Sequence, residues 1–311
     1  MANTELILST SQRQSAAPAR SRGALAVARD LVALTKPRIT TLVLATDAAG
    51  ATLAPGHVAG RALALSLAGT ALIVGSANAL NMWWERDIDA RMTRTRKRPL
   101  PAGRLSPDVA LGFGLALAVV SVPMLFMVNV ATGLLGLAAL LSYVAIYTPL
   151  KRITPLNTVI GAVAGALPTL MGWSAVSGSF AMSSGGVMAA TLFVIVYLWQ
   201  FPHFMAIAWI YRRQYAAAGL KMLTVVDASG WRAGQQAVIA ALALLPVSLV
   251  PTMQHAGPVY FVAAIVLGLV YIVFSTLFCI RRDEASARWL LRASLVYLPA
   301  LLFMIMLVPL V

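Results

Sequence analysis

The densest chemistry in the sequence is the run Asn78-Ala-Leu-Asn81-Met-Trp-Trp-Glu85-Arg86-Asp87-Ile-Asp89. On a helix that advances about 100° per residue, Asn81, Glu85 and Asp89 fall at about 0°, 40° and 80°, with Asn78 at about 60°. Asp87 lies about 240° round, on a different face. Four oxygen-bearing side chains therefore share one stripe. Asp, Glu and Asn oxygens suit Mg²⁺, which takes one or two protein carboxylates and fills its shell with water and substrate phosphates. Five cations follow at once: Arg94, Arg96, Lys97, Arg98 and Arg104. Carboxylates with a metal, beside a basic loop, suit a polyanion that itself binds metal, and diphosphate fits best. The plain alternative is a solvated helix end with salt bridges and a basic loop. The coincidence of both charge patterns argues against it.

The surrounding sequence says what must position this stripe. Of 311 residues, 60% are hydrophobic and 11% charged, whereas soluble domains carry roughly 45–50% and about 25%. Such a chain would precipitate as a water-soluble globule, so the expected class is an all-α polytopic membrane protein. Apolar runs of about 20 residues are read at about 38–55, 61–82, 108–128, 130–148, 155–174, 185–209, 235–254, 258–280 and 289–310, a bundle of nine spans. Pro123, Pro168, Pro202 and Pro246 interrupt spans in a way that a helical bundle tolerates. Strict period-2 alternation is absent, which argues against a β-barrel. The acidic stripe then sits at one end of the second span. Carboxylates buried there are costly unless something cationic compensates them.

The charge balance is 24 Lys and Arg against 10 Asp and Glu, an excess that elsewhere suggests nucleic acid. With the N-terminus inside, nine spans put every one of these cations except Arg61 on the inner side. The positive-inside rule thus orients the bundle N-inside and C-outside, and dispersal of the charge among short loops excludes nucleic acid. The single cysteine, Cys279, excludes a disulfide scaffold and any Cys-based zinc site. Residues 1–35 read as a disordered cytoplasmic tail, with a mitochondrial transit segment as the alternative, and 36–311 as one transmembrane domain. No apolar core of signal-peptide length precedes the first span.

Asn81-xxx-Glu85-xxx-Asp89 followed by Arg94-Thr-Arg-Lys-Arg98-Pro-Leu-Pro-Ala-Gly103 resembles the first motif of the UbiA-type intramembrane prenyltransferases, and Asn-Met-Trp-Trp-Glu is similar to their heme-modifying branch. Further matches are Thr35-Lys-Pro-Arg38, Tyr147-Thr-Pro-Leu-Lys151-Arg152, Gly161-Ala-Val-Ala-Gly165-Ala-Leu-Pro168, Trp199-Gln-Phe-Pro202-His203-Phe204 and Tyr215-Ala-Ala-Ala-Gly219. The resemblance covers about residues 35–310. It implies a UbiA-like fold and Mg²⁺-dependent transfer of the farnesyl group of farnesyl diphosphate to a vinyl group of heme B, giving heme O. Asn81, Glu85 and Asp89 would hold Mg²⁺. Lys36, Arg38, Arg94, Arg98, Lys151 and Arg152 would clamp the diphosphate. Asn78, Tyr147, Gln214 and Tyr215 are cavity candidates.

His203 lies in an apolar span, where an ionisable group is functional by default and neutral imidazole is a common metal ligand. The resemblance places it in the catalytic set, contacting heme iron or propionate; a hydrogen-bonded core histidine is the competing reading. His57 and His255 read as solvated loop residues. Three positions depart from the family pattern. Gln214 stands where the family has an aspartate, which weakens a second metal site, and Lys221 and Thr224 replace expected prolines. Asp227 is the nearest remaining acid. Asp47, deep in the first span, should face the cavity or a polar partner. The implied partners are the two substrates, the bilayer and a downstream heme-modifying enzyme. The bacterial inner membrane is the expected location, with the mitochondrial inner membrane as the alternative. Two other functions compete: prenylation of a quinone or chlorin, and transport, which would place ionisable groups near the midplane.

Overall fold

The structure is a computed structural model that describes residues 23–56, 60–179, 186–254 and 256–307. It is all-helical, with no strand among the described residues. In chain order the helices are α1 (Ala24–Leu34), α2 (Pro37–Leu53), α3 (Gly60–Trp84), α4 (Arg86–Ala90), α5 (Pro107–Val128) and α6 (Val130–Leu141). A π-helical segment, Ser142–Tyr147, then runs into α7 (Thr148–Leu150). There follow α8 (Asn157–Ser177), α9 (Gly186–Ile210), α10 (Arg212–Ala217), α11 (Leu223–Val226), α12 (Trp231–Leu249), α13 (Gly257–Arg281) and α14 (Glu284–Leu307). His57 and His255 lie outside the described residues.

Eight of these helical stretches are long and apolar enough to cross a membrane, so this is a polytopic membrane protein. The expected first span corresponds to α2, which has only 17 residues and carries Asp47, so eight spans rather than nine meet that measure. Pro123, Pro168, Pro202 and Pro246 do lie inside helices. A second difference is α1. Part of the segment read as a disordered tail is helix Ala24–Leu34, which buries Leu34 and Asp30. Arg104 donates to Asp30 at 3.0 Å and ties this helix to the basic loop after α4.

Two cores flank the centre of the bundle. One joins α3, α5, α6 and α8 through Ile73, Leu80, Leu125, Leu140 and Met171. The other joins α9, α12, α13 and α14, with Tyr260, Tyr271 and Tyr297 fully buried. Helices α2 and α8 pack against each other between these cores. A Cβ on Gly50 would overlap the Thr169 carbonyl, and one on Gly172 would overlap the carbonyl of Asp47. Close backbone approach through small residues is how helices associate where lipid removes the hydrophobic drive. Asp47 is part of this seam. Its Oδ1 accepts from Ser66 Oγ at 3.4 Å, and it is fully buried. It takes a polar partner on α3 and does not line the cavity.

Candidate active site

The acidic stripe is built across a kink. Helix α3 ends at Trp84 and α4 starts at Arg86, with Glu85 at φ −94°, ψ 8° between them. The backbone ladder survives: Glu85 N–H donates to Asn81 O at 2.9 Å, and Asp89 N–H to Glu85 O at 2.8 Å. The register is kept, so Asn78, Asn81, Glu85 and Asp89 are all buried while the Asp87 side chain is 79% exposed.

Each buried carboxylate has a cation. Lys151 Nζ lies 2.9 Å from Glu85 Oε1, and Arg98 Nη1 donates to Asp89 Oδ2 at 2.7 Å. Burial alone would drive Lys151 towards neutrality, but the Glu85 carboxylate outweighs it and holds the ammonium charged above the usual lysine range. Lys36, a half-buried residue in the left-handed region at φ 49°, joins the group just before α2. Burial, then Arg98 and Lys151, push its ammonium down to about 7, against the pull of Glu85 and Asp89. Asn81 Nδ2 donates to Thr148 Oγ1 at 3.1 Å, and Thr148 Oγ1 donates to Tyr143 O at 2.8 Å, so the end of the π-helical segment is pinned to the stripe. Lys151 Nζ also sits 4.4 Å from the centre of the Tyr147 ring.

Arg94 is held on the opposite flank. Its backbone N–H donates to Gln214 Oε1 at 3.1 Å, its Nη2 to the Tyr215 hydroxyl at 3.1 Å, and its guanidinium lies 4.4 Å from the Tyr211 ring centre. Gln214 is thus a backbone acceptor that orders the basic loop. Glutamate, a carboxylate of the same reach, keeps that bond, so Gln214→Glu is expected to retain or raise turnover; a clear loss in a steady-state assay would contradict this. Asp227 is not at the site. It accepts from Ser229 Oγ at 2.6 Å and from Arg232 N–H at 2.8 Å, capping the start of α12. The Ser229 hydrogen bond, foremost, holds its carboxyl below the usual range.

Next to this charged cluster opens a cavity of about 420 Å³. Arg38, Asn78, Tyr143 and Tyr147 line it, and its wall continues over apolar side chains of α2, α3 and α8 to Trp199, His203 and Leu298. His203 Nδ1 lies 2.7 Å from Ser294 Oγ, and its ring stacks on Trp199 with centres 4.9 Å apart. The histidine is therefore hydrogen-bonded and also on the cavity wall. Lys36, Glu85, Asp89, Arg98 and Lys151 form one electrostatic group, and Arg94 joins Gln214 and Tyr215. Arg152 stands apart; it is exposed and makes no ion pair among the described residues.

The sequence and the fold have counterparts among known proteins. The family described as "UbiA prenyltransferase family" matches residues 42–304. The chain belongs to the UbiA prenyltransferase family. A relative from Myxococcus xanthus (strain DK1622), described as protoheme IX farnesyltransferase, is 46% identical over 286 residues, 91% of this chain and 95% of the relative. Another of that description, from Anaeromyxobacter sp. (strain Fw109-5), is 45% identical over 92% of this chain and 95% of its own length. Among solved structures, a UbiA homolog from Aeropyrum pernix K1 aligns with a TM-score of 0.70 at 20% identity, covering 85% of this chain and 96% of that one. A UbiA homolog from Archaeoglobus fulgidus, bound to GPP and Mg²⁺, aligns at 0.63 and 16% identity over 89% and 99%. The UbiA fold and a prenyltransferase activity, both expected from the motifs, are therefore properties of this chain.

Four residues of this UbiA-family site escape a reading of motifs: Thr148, Tyr143, Tyr211 and Ser294. Tyr211 stands one helical turn before Tyr215, a spacing that would have paired them. Thr148 lies inside the Tyr147-Thr-Pro-Leu run, where a lone hydroxyl carries no signal of its own beside Lys151 and Arg152. Ser294 gives no sequence signal, being one small residue in an apolar span.

The donor set fits Mg²⁺ in kind. It consists only of oxygen donors, two carboxylates and an amide, and Glu85 Oε1 is a buried atom whose cationic neighbour is Lys151 Nζ at 2.9 Å. Among the described residues no three His, Cys, Asp or Glu side chains converge to hold a metal unaided. Mg²⁺ bound there would complete its shell with water and substrate phosphates.

Proposed function

We propose that the chain transfers the farnesyl group of farnesyl diphosphate to a vinyl group of heme B. The observation that carries this is the junction of a charged cluster with an apolar cavity: Arg38, Asn78 and Tyr147 belong to the cavity wall, and Tyr147 touches the Lys151 that pairs Glu85. One end suits a diphosphate, and the rest suits a prenyl chain and a flat apolar acceptor. The names carried by relatives at 45–46% identity support heme as that acceptor. The mirrored reading, a quinone or chlorin acceptor, shares the charged end but not those relatives.

In this mechanism Lys36, Arg94, Arg98 and Lys151 neutralise the diphosphate as it leaves. Asn81, Glu85 and Asp89 would hold Mg²⁺, which when bound withdraws charge from the diphosphate as a Lewis acid. The allylic C–O bond breaks with its electron pair going to the diphosphate. The allylic carbon then bonds to the terminal vinyl carbon of the acceptor. Water adds to the resulting cation and loses a proton, leaving a hydroxyethylfarnesyl substituent. The electron-rich faces of Tyr143 and Tyr147, with ring centres 5.1 Å apart, stand where positive charge develops. The apolar wall keeps bulk water from the allylic cation.

The deciding experiment incubates purified protein with heme B, farnesyl diphosphate and Mg²⁺ and seeks a farnesylated heme by mass spectrometry. Product from a quinone acceptor, with none from heme B, would overturn the assignment. Lys36 adds a pH dependence. Burial, with Arg98 and Lys151 beside it, pushes its ammonium down to about 7, and a bound diphosphate raises that value. Binding above pH 7 then takes up a proton, so affinity falls as pH rises, by up to tenfold per unit. Inhibition by inorganic diphosphate, compared between wild type and Lys36→Arg at pH 6.5 to 8.5, isolates this from the ligand's own titration. Equal slopes would contradict it.

We also place the N-terminus and the charged cluster on the cytoplasmic face of a bacterial inner membrane. Support comes from the positive-inside distribution and from the bacterial relatives. Residues 36–311 are treated as one catalytic domain, and a downstream heme-modifying enzyme as the consumer of the product.

A further inference from the structure

His203 has two ring nitrogens, and the contacts of Ser294 distinguish them. Ser294 Oγ lies 2.6 Å from Leu291 O and 2.7 Å from His203 Nδ1. A hydroxyl has one proton. Two oxygens 2.6 Å apart repel unless a proton lies between them, so the Ser294 proton goes to Leu291 O. The hydroxyl oxygen is then an acceptor towards the imidazole, and Nδ1 must carry the hydrogen. In the neutral ring, Nε2 is left with its lone pair.

The surroundings hold that orientation. Ser294 is fully buried. Its carbonyl accepts from Trp199 Nε1 at 2.8 Å, and the carbonyl of Trp199 accepts from the Tyr271 hydroxyl at 2.9 Å. The His203 ring lies nearly parallel to the Trp199 indole, at 23°, and meets Phe204 edge-on at 5.5 Å. Nε2 has no hydrogen-bond partner among the described residues and is not among the buried unpartnered atoms. It therefore opens on the cavity that His203 lines. A lone pair on a fixed imidazole, in an apolar pocket with no donor to satisfy it, suits a metal centre carried by the substrate.

We propose that Ser294 is a positioning residue that fixes His203 as its Nδ1–H tautomer, so that Nε2 ligates the metal of a flat macrocyclic acceptor. This rests on the heme reading above. It adds a distinct task to α9 and α14: they grip the acceptor by its metal, while the cluster on α3 and α4 handles the diphosphate. One dative bond, from the lone pair of Nε2 to iron, forms in this step; no covalent bond breaks, no proton moves and no oxidation state changes. A carbonyl or hydroxyl on the other nitrogen is the usual way a ligating histidine is oriented, and loss of such a partner costs about 10–100-fold in affinity or activity.

The test titrates the full-length protein in lipid nanodiscs with heme B and follows the Soret and visible bands, with wild type, Ser294→Ala, Ser294→Thr and His203→Gly. Wild type and Ser294→Thr should give the same imidazole-ligated spectrum. Ser294→Ala should weaken ligation about 10–100-fold. His203→Gly should lose the ligated spectrum and regain it with added free imidazole. Metal-free protoporphyrin should bind all four alike. A wild-type spectrum retained in His203→Gly without imidazole, or unchanged affinity in Ser294→Ala, would overturn the proposal. Those results alongside normal heme farnesylation would leave the function standing and remove only this inference. A wild-type protein that neither binds nor turns over heme would remove both.

Discussion

Glu85→Gln and Asp89→Asn are each expected to abolish prenyl transfer without weakening substrate binding. The amide keeps the shape and one oxygen of the carboxylate but removes its charge. If these side chains hold the metal, loss of one preorganised electrostatic partner costs roughly 10²–10³ in turnover. Binding should move the other way. In the structure Lys151 is spent on Glu85 and Arg98 on Asp89, and the substituted amide releases each cation to the diphosphate. The expected signature is a collapse in kcat with an unchanged or lower KM for the prenyl diphosphate. Stability should suffer too, because breaking a buried pair costs about 3–5 kcal/mol. The cost should fall below that range for Asp89→Asn, since Arg98 is 27% exposed and water screens it. Turnover at wild-type rates in both variants would remove the metal site from this stripe.

A second large effect on stability is expected at Gly172. Its Cα faces the backbone of Asp47 so closely that an added methyl would overlap the carbonyl oxygen and reach within 2.6 Å of Oδ1. A backbone carbonyl in a helix cannot swing aside, so α2 and α8 must separate. Overpacking costs typically 1–3 kcal/mol, and Gly172→Ala should reach about the upper end because its clash is with main chain. The damage should spread to function, since Leu42, Val43 and Thr46 of α2 and Gly165, Pro168 and Met171 of α8 all line the cavity. Thermal unfolding in detergent reads the first effect and prenyl transfer the second. Gly112→Ala is the control: nothing lies within 4 Å of its added methyl, so it should change neither. A Gly172→Ala protein as stable and active as Gly112→Ala would refute the seam.

The parts of this site that follow from local spacing were legible in the sequence. One face of one helix collects Asn78, Asn81, Glu85 and Asp89, and the exposed Asp87 was excluded by the same angle. What joins distant segments was not. Lys151 was expected to clamp a diphosphate, yet its partner here is a carboxylate 66 residues earlier, a pairing that no periodicity encodes. Asp227 looked like the nearest spare acid, but a Ser two residues later competes for it and turns it into a helix cap. Helix α1 was missed because its short apolar face, Val27, Leu31 and Leu34 against Met82 and Leu100, is hidden in a Ser- and Arg-rich stretch. The 17 residues of α2 mark the limit of length as a guide: a helix can be too short by the measure of span and still form the centre of the packing.

The π-helical segment Ser142–Tyr147 makes chain length itself a functional variable. Such a segment is an α-helix with one residue too many, so each later residue is rotated by about 100° from where regular winding would put it. Thr148 and Lys151 meet Asn81 and Glu85 only in that rotated frame. Ala145 and Ile146, exposed on the outer face, are therefore free to vary in identity while the number of residues is not. Loss of any one of the six would heal the helix and turn Lys151 away from its carboxylate. In descent, this stretch should accept spelling changes and reject omissions.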